Sequence, residues 1–136
     1  MMSSNHKSFA SNHSIIVIDD EIELAMLFKA FLSKEGLNVK SFTDPLLALD
    51  YVKETPDSLS LIITDLRMPG MNGIDLAKKI RGLNKNIKIF LMTAFDISDL
   101  KNNPDYKAAR IDNLIQKPIH FSDLRNMIIS ALKTSV

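Results

Sequence analysis

The run Ser14-Ile15-Ile16-Val17-Ile18, followed at once by Asp19-Asp20-Glu21, is the stretch from which the fold is read. A continuous β-branched run marks a strand buried on both faces, as in a parallel sheet covered by helices. The run stops at an acidic triplet. Beyond it Leu24, Leu27, Phe28 and Phe31 fall at i, i+3, i+4 and i+7, the period of a helix with one apolar face. Gly36 closes that helix in the way of a C-cap glycine. A buried strand, an acidic end and an amphipathic helix make one βα unit.

The unit recurs along the chain. Leu37 to Phe42 reads as a strand, and Asp44-Pro45 starts a helix, with Asp as cap and Pro at the first helical position. Leu46, Leu49 and Val52 supply its apolar face. Leu59 to Thr64 is another buried strand, ended by Asp65; a loop with Pro69 and Gly70 follows. The helix from Gly73 to Gly82 carries Leu76 and Ile80 inward and is expected to turn Lys78, Lys79 and Arg81 to solvent. Ile87 to Met92 is a fourth strand, followed by Thr93, and a polar helix is expected from Ile97 to Arg110. Asn113 to Gln116 is the last strand; after Lys117-Pro118 a final helix uses Phe121, Leu124, Ile128 and Ala131 or Leu132. Five such units predict a doubly wound α/β fold, flavodoxin-like (βα)5, with a five-stranded parallel sheet in the order 2-1-3-4-5. Residues 1–13, rich in Ser, Asn and His, read as a disordered polar tail, and 14–134 as one domain.

Composition narrows the chemistry. The chain has 136 residues, 46% of them hydrophobic, which is ample for one core. Seventeen basic against sixteen acidic residues give a net charge of +1, which offers no bulk drive toward nucleic acid or anionic lipid. The absence of Cys excludes disulfides, thiolate zinc sites and cysteine nucleophiles. Of three His, two (His6 and His13) lie in the tail, and His120 reads as the start of the last helix. No apolar run approaches a membrane span, and the first residues lack a secretory segment, so a cytoplasmic protein with no membrane contact is expected. The chemistry falls to carboxylates, hydroxyls, Lys and a hard metal ion.

In an open α/β sheet, ligands bind beyond the carboxyl ends of the strands. Those ends carry Asp19-Asp20, Asp65, Thr93 and Lys117. Three carboxylates meeting at one place are stable only if a cation intervenes or a pKa rises. Carboxylate oxygens without His or Cys suit Mg²⁺, with Mn²⁺ as an alternative. Lys117 adds a point charge suited to a phosphoryl oxygen, and Thr93 adds a hydroxyl donor. The chain has neither GxGxxG nor GxxxxGK[ST], so a cradled nucleotide is not indicated. An Asp carboxylate can itself carry a phosphoryl group, and Asp65, ending the central strand, is the best candidate.

Four motifs in order, Ile16-Val17-Ile18-Asp19-Asp20-Glu21, Asp65-Leu66-Arg67-Met68-Pro69-Gly70-Met71-Asn72-Gly73, Leu91-Met92-Thr93-Ala94 and Lys117-Pro118, each follow a predicted strand. In these the chain resembles the receiver domain of two-component response regulators, of the single-domain chemotaxis-regulator kind, from about Ile15 to Leu132. The resemblance implies that Asp65 is the phosphoacceptor, served by a histidine kinase or phosphotransfer protein in a phosphorelay. It implies that Asp20, Asp65 and the backbone carbonyl of Arg67 bind Mg²⁺ directly, with Asp19 acting through a metal-bound water. Thr93 would hydrogen-bond a phosphoryl oxygen, Lys117 would pair with Asp65, and the Lys117-Pro118 peptide would be cis. The only reactions catalysed would be phosphorylation and dephosphorylation of its own aspartate.

The chain departs from the family pattern at the switch position. The family usually has Tyr or Phe three residues before the Lys; here Leu114 stands there, so no aromatic rotamer switch operates. Arg110-Ile111 replace the small pair that often comes just before. Arg67 and Phe95, two residues after Asp65 and Thr93, are positions that in this family flank the path of the hydrolytic water, and they are expected to slow dephosphorylation. On the first helix, Ile22, Ala25, Met26 and Lys29 form a second stripe, opposite the core stripe, read as a docking patch for the kinase or phosphotransfer helix. Output through a downstream protein target is expected, by a monomer or a weak phosphorylation-dependent dimer. No residues follow the last helix for a helix-turn-helix, so direct DNA binding is not expected. The rival readings are a receiver-like binding module that no longer switches, an excised receiver of a longer regulator, and a Mg²⁺-dependent phosphotransferase acting on small substrates.

Overall fold

The computed structural model describes residues 13–55, 58–95 and 97–133. Five parallel strands, β1 (Ser14–Ile18), β2 (Asn38–Phe42), β3 (Leu59–Asp65), β4 (Lys88–Thr93) and β5 (Asn113–Gln116), form one sheet in the order β2-β1-β3-β4-β5. Five helices connect and follow them: α1 (Ile22–Lys34), α2 (Pro45–Glu54), α3 (Gly73–Leu83), α4 (Pro104–Ala109) and α5 (Phe121–Lys133). This is the flavodoxin-like arrangement read from the sequence.

Alternation along the strands sorts the core into two layers. Ile15, Val17, Leu61, Ile63, Phe90, Met92 and Ile115 face one side, where Phe28 and Leu32 of α1 and Leu124, Ile128 and Leu132 of α5 cover them. Ile16, Ile18, Ile62 and Ile89 face the other, under Ala48, Leu49 and Val52 of α2, Leu76, Ala77 and Ile80 of α3, and Ala109 of α4. Phe121 ties α1 to α5, stacking on Phe31 at 4.9 Å and meeting Phe28 edge-on at 5.4 Å.

The structure corrects the sequence reading of α1. Ala25 is buried at 1% exposure with Phe28 and Leu32, while Leu27, assigned to the core, is 54% exposed. Ala25 therefore cannot belong to an exposed stripe, whereas Ile22, Met26 and Lys29 are exposed, as is Leu27. The physical reason is that α1 carries apolar residues around most of its circumference. Its period therefore allows more than one setting, and the small Ala25 permits the closest approach to the sheet.

Further expectations change, and Leu46, assigned to the apolar face of α2, is 50% exposed. The single helix from Ile97 to Arg110 is instead a 3₁₀ turn (Leu100–Asn102) followed by α4. Pro104 forces Asn103 out of helical geometry, and the Asn103 side chain then caps α4 by accepting from the Asp105 N–H at 2.7 Å. Arg81, expected on a solvated face, is buried. Its guanidinium donates to the carbonyls of Ala109 (3.0 Å), Ile87 (2.6 Å), Arg110 (2.8 Å) and Lys85 (3.2 Å) and reaches Asp112 at 3.3 Å. Of the predicted tail, residues 1–12 lie outside the described residues, whereas His13 is placed against β3, its Nδ1 2.9 Å from Ser60 Oγ. Residue 134, the predicted end of the domain, also lies outside them.

Candidate metal and phosphoryl site

The carboxyl ends of β1, β3, β4 and β5 meet at one edge of the sheet. Asp19, fully buried, follows β1; its Oδ1 accepts from the Glu21 N–H at 3.0 Å and its Oδ2 from Lys117 Nζ at 3.0 Å. Lys117 Nζ also stands 3.3 Å from Asp65 Oδ1. Asp20 is exposed, leaving its carboxylate at the mouth of the site. One oxygen from each of Asp19, Asp20 and Asp65 lies within 4.8 Å of the others. This all-oxygen donor set fits a hard divalent cation such as Mg²⁺, the test that a His- or Cys-based site would fail.

Burial and charge oppose one another at the site. Burial pushes the Asp65 carboxyl up from its ordinary value; Lys117 opposes this, and the neighbouring Asp19 adds to it. Burial alone would lower Lys117, yet its hydrogen bond to Asp19 and the charges of Asp19 and Asp65 together raise it. The ammonium therefore stays charged between two carboxylates.

Backbone geometry fixes these side chains. Gly73, at the start of α3, packs against the end of β3. A Cβ there would run into the Asp65 carbonyl oxygen, and its N–H donates to the Leu66 carbonyl at 2.7 Å. The Lys117 N–H donates to the Thr93 carbonyl at 2.7 Å, and the Lys117-Pro118 peptide is cis. Thr93 is buried, and its Oγ1 accepts from the Phe95 N–H at 3.0 Å. Arg67 is exposed, with its guanidinium 4.0 Å from the centroid of the Phe95 ring. Leu114, half-buried on β5, is paired in register with Leu91.

The structure thus brings Asp19, Asp20, Asp65 and Lys117 together and sets Thr93 at the end of the strand beside Asp65. Ile22, Met26 and Lys29 lie exposed on the helix that leaves the acidic pair. Two residues that shape the site's surroundings were given no part in the site by the sequence reading. Gly73 was visible only as part of a motif. Gln116, whose Nε2 donates to the Phe95 carbonyl at 2.8 Å, carried no signal beyond its place before Lys117.

The model for the response regulator receiver domain matches residues 15–129. The chain belongs to this family. It is similar to the sporulation initiation phosphotransferase F of Bacillus subtilis, 34% identical over 90 residues that make up 65% of this chain and 70% of that protein. It is likewise similar to the response regulator receiver protein CpdR of Brucella abortus, 33% identical over 84% of this chain and 92% of that one. Among solved structures, the response regulator TrrA of Thermotoga maritima in complex with Mg²⁺ and BeF superposes with a TM-score of 0.74 and 29% identity, covering 88% of this chain and 98% of that one. Receiver domains are signalling domains that bind Mg²⁺ at an acidic pocket and interact with histidine kinases or phosphotransfer proteins and with downstream targets. Among the described residues, no helix is long and apolar enough to cross a membrane.

Proposed function

We propose that this chain accepts a phosphoryl group on Asp65 from a histidine kinase or phosphotransfer protein and passes the signal on through a changed protein-binding surface. The observation that carries the reading is the position of Lys117 Nζ, 3.0 Å from Asp19 and 3.3 Å from Asp65, beside the three-carboxylate cluster. One Asp65 oxygen attacks the phosphorus of the donor's phosphohistidine. The new O–P bond forms as the P–N bond breaks, and the electron pair stays on the imidazole nitrogen. Water later attacks the same phosphorus, and Asp65 leaves as carboxylate with inorganic phosphate as the product. Lys117 neutralises charge on the phosphoryl oxygens, and the Thr93 hydroxyl donates to one of them. Asp20, Asp65 and the Arg67 carbonyl would hold Mg²⁺ or Mn²⁺, with Asp19 behind them; the ion supplies charge neutralisation at the transferring group.

Ile22 on α1 lies two residues beyond the acidic pair, and with Met26, Leu27 and Lys29 further along the helix it offers the donor's helix an exposed apolar patch with a basic end. Output runs through the face of α4, β5 and α5 to a downstream protein, with the chain as a monomer or a weak phosphorylation-dependent dimer, in the cytoplasm. The test is incubation with acetyl phosphate and Mg²⁺, read by intact mass. A phosphoryl adduct that disappears in Asp65→Asn and with EDTA is expected. No adduct on the intact chain overturns the reading and favours a binding module that does not switch, which Leu114 in place of an aromatic residue would suit.

A further inference from the structure

Three contacts converge on Phe95, the second residue beyond β4. Its N–H donates to Thr93 Oγ1 at 3.0 Å, its carbonyl accepts from Gln116 Nε2 at 2.8 Å, and its half-exposed ring lies against Arg67 at 4.0 Å. Thr93 and Gln116 are register partners across β4 and β5. Gln116 also sits on the anchored side of the site. The next residue, Lys117, is tied through its N–H to the Thr93 carbonyl and through Nζ to both Asp19 and Asp65. The Gln116 amide thus reaches from a pinned strand end to the loop beyond β4.

We infer that Gln116 is a positioning residue that opposes the switch, holding Phe95, and through it the Thr93 hydroxyl, in the arrangement of the unphosphorylated protein. This rests on the phosphoacceptor reading of Asp65 given above. In the proposed switch, donation to a phosphoryl oxygen on Asp65 draws Thr93 Oγ1 toward Asp65. The Phe95 N–H bonded to that oxygen must follow or let go. The Phe95 carbonyl belongs to the same residue, so following stretches its bond to Gln116. Leu114 has no polar atom and no ring with which to couple β5 to this movement. The Gln116 bond supplies a coupling of a different kind, a restraint released on switching instead of a ring that swings.

An amide–carbonyl bond at a solvent-exposed rim biases a two-state equilibrium by about two- to tenfold. Gln116→Met keeps the shape and neutrality of the side chain without its donor, and Gln116→Ala removes it. Both variants should bind beryllofluoride with Mg²⁺ about two- to tenfold more tightly than the parent, while affinity for Mg²⁺ alone stays unchanged. The amide resonances of Thr93 and Phe95 in the free variants should shift toward their beryllofluoride-bound positions. A merely structural role would move neither the ratio of the two affinities nor the direction of those shifts. Unchanged or weaker beryllofluoride binding in both variants, with the parent binding normally, overturns the inference. Failure of the parent protein itself to bind beryllofluoride overturns the phosphoacceptor reading and this inference with it.

Discussion

The Arg67 guanidinium packs on the Phe95 ring, 4.0 Å from its centroid, so that the loop after β3 and the loop after β4 touch above the end of the sheet. A cation over an aromatic face is attracted to it and, at an exposed site, contributes on the order of 0.5–1 kcal/mol. On the reading proposed above, the pair stands in the path of the hydrolytic water. Replacing both residues with Ala should speed loss of the phosphoryl group by at least about threefold, and the two single variants should not add, because each removes the same contact. Phosphoprotein decay followed by mass spectrometry checks this; an unchanged decay rate in the double variant would sink the idea.

Asp19 is fully buried, and Lys117 is its partner at 3.0 Å. Removing the cation leaves a carboxylate cluster without internal compensation, a change that costs about 3 kcal/mol when one member of a buried pair is lost. Lys117→Met should therefore unfold at clearly lower denaturant, and millimolar Mg²⁺ should recover part of the loss. Urea titrations with and without Mg²⁺ read both effects, and recovery no greater than in the parent would count against a shared cation site.

Burial raises the Asp65 carboxyl, with Asp19 adding to the shift against the opposing pull of Lys117. A folded-state value above the unfolded one means that this group's contribution to stability is fully present below the ordinary carboxylate range and is lost as pH rises through the raised value. At pH 7 without Mg²⁺, ionised Asp65 works against the fold. Asp65→Asn should then raise Tm at pH 7. The difference should vanish near pH 4. Calorimetry at the two pH values decides it; a lower Tm at pH 7 would show that the lost ion pair with Lys117 outweighs the relieved burial.

Arg81 holds four backbone carbonyls and Asp112, whereas Lys78, one turn earlier on α3, meets Asp105 at 2.8 Å in an exposed pair. Arg81→Met leaves buried carbonyls without donors and should cost about 3 kcal/mol. It should also raise hydrogen exchange at the amides of residues 109–112. Lys78→Ala, on the water-screened pair, should leave the denaturation curve unmoved.

Much of this was legible because the fold makes one kind of pattern from one cause. Buried parallel strands favour unbroken runs rich in β-branched and other apolar residues, and Ile15–Ile18 and Leu61–Thr64 show them plainly. The residue that follows each run then lands at the ligand-binding edge, which is how Asp19, Asp65, Thr93 and Lys117 were found. The misses have physical reasons too. Apolar residues around α1 let Leu27 stand in for Ala25, because periodicity does not see how close a helix must approach a sheet. Pro104 marked the break in the fourth connection, but polar residues on both sides hid it within one apparent helix. Arg81 resembled its solvated neighbours because a buried cation bound to carbonyls needs no acidic partner in the local sequence. Gln116 depends on a carbonyl 21 positions away, which a strand pattern does not encode.

The bond between Lys117 and Asp19 joins positions separated by 98 residues. Closure that distant comes late in folding, because the entropy of the long intervening loop must be lost before the contact rewards it. During synthesis a nascent chain that has not yet delivered β5 already contains all three carboxylates but lacks the ammonium that pairs with Asp19 and Asp65. On the phosphoacceptor reading proposed above, Asp65 is therefore complete only once the last strand and Lys117 behind it are added.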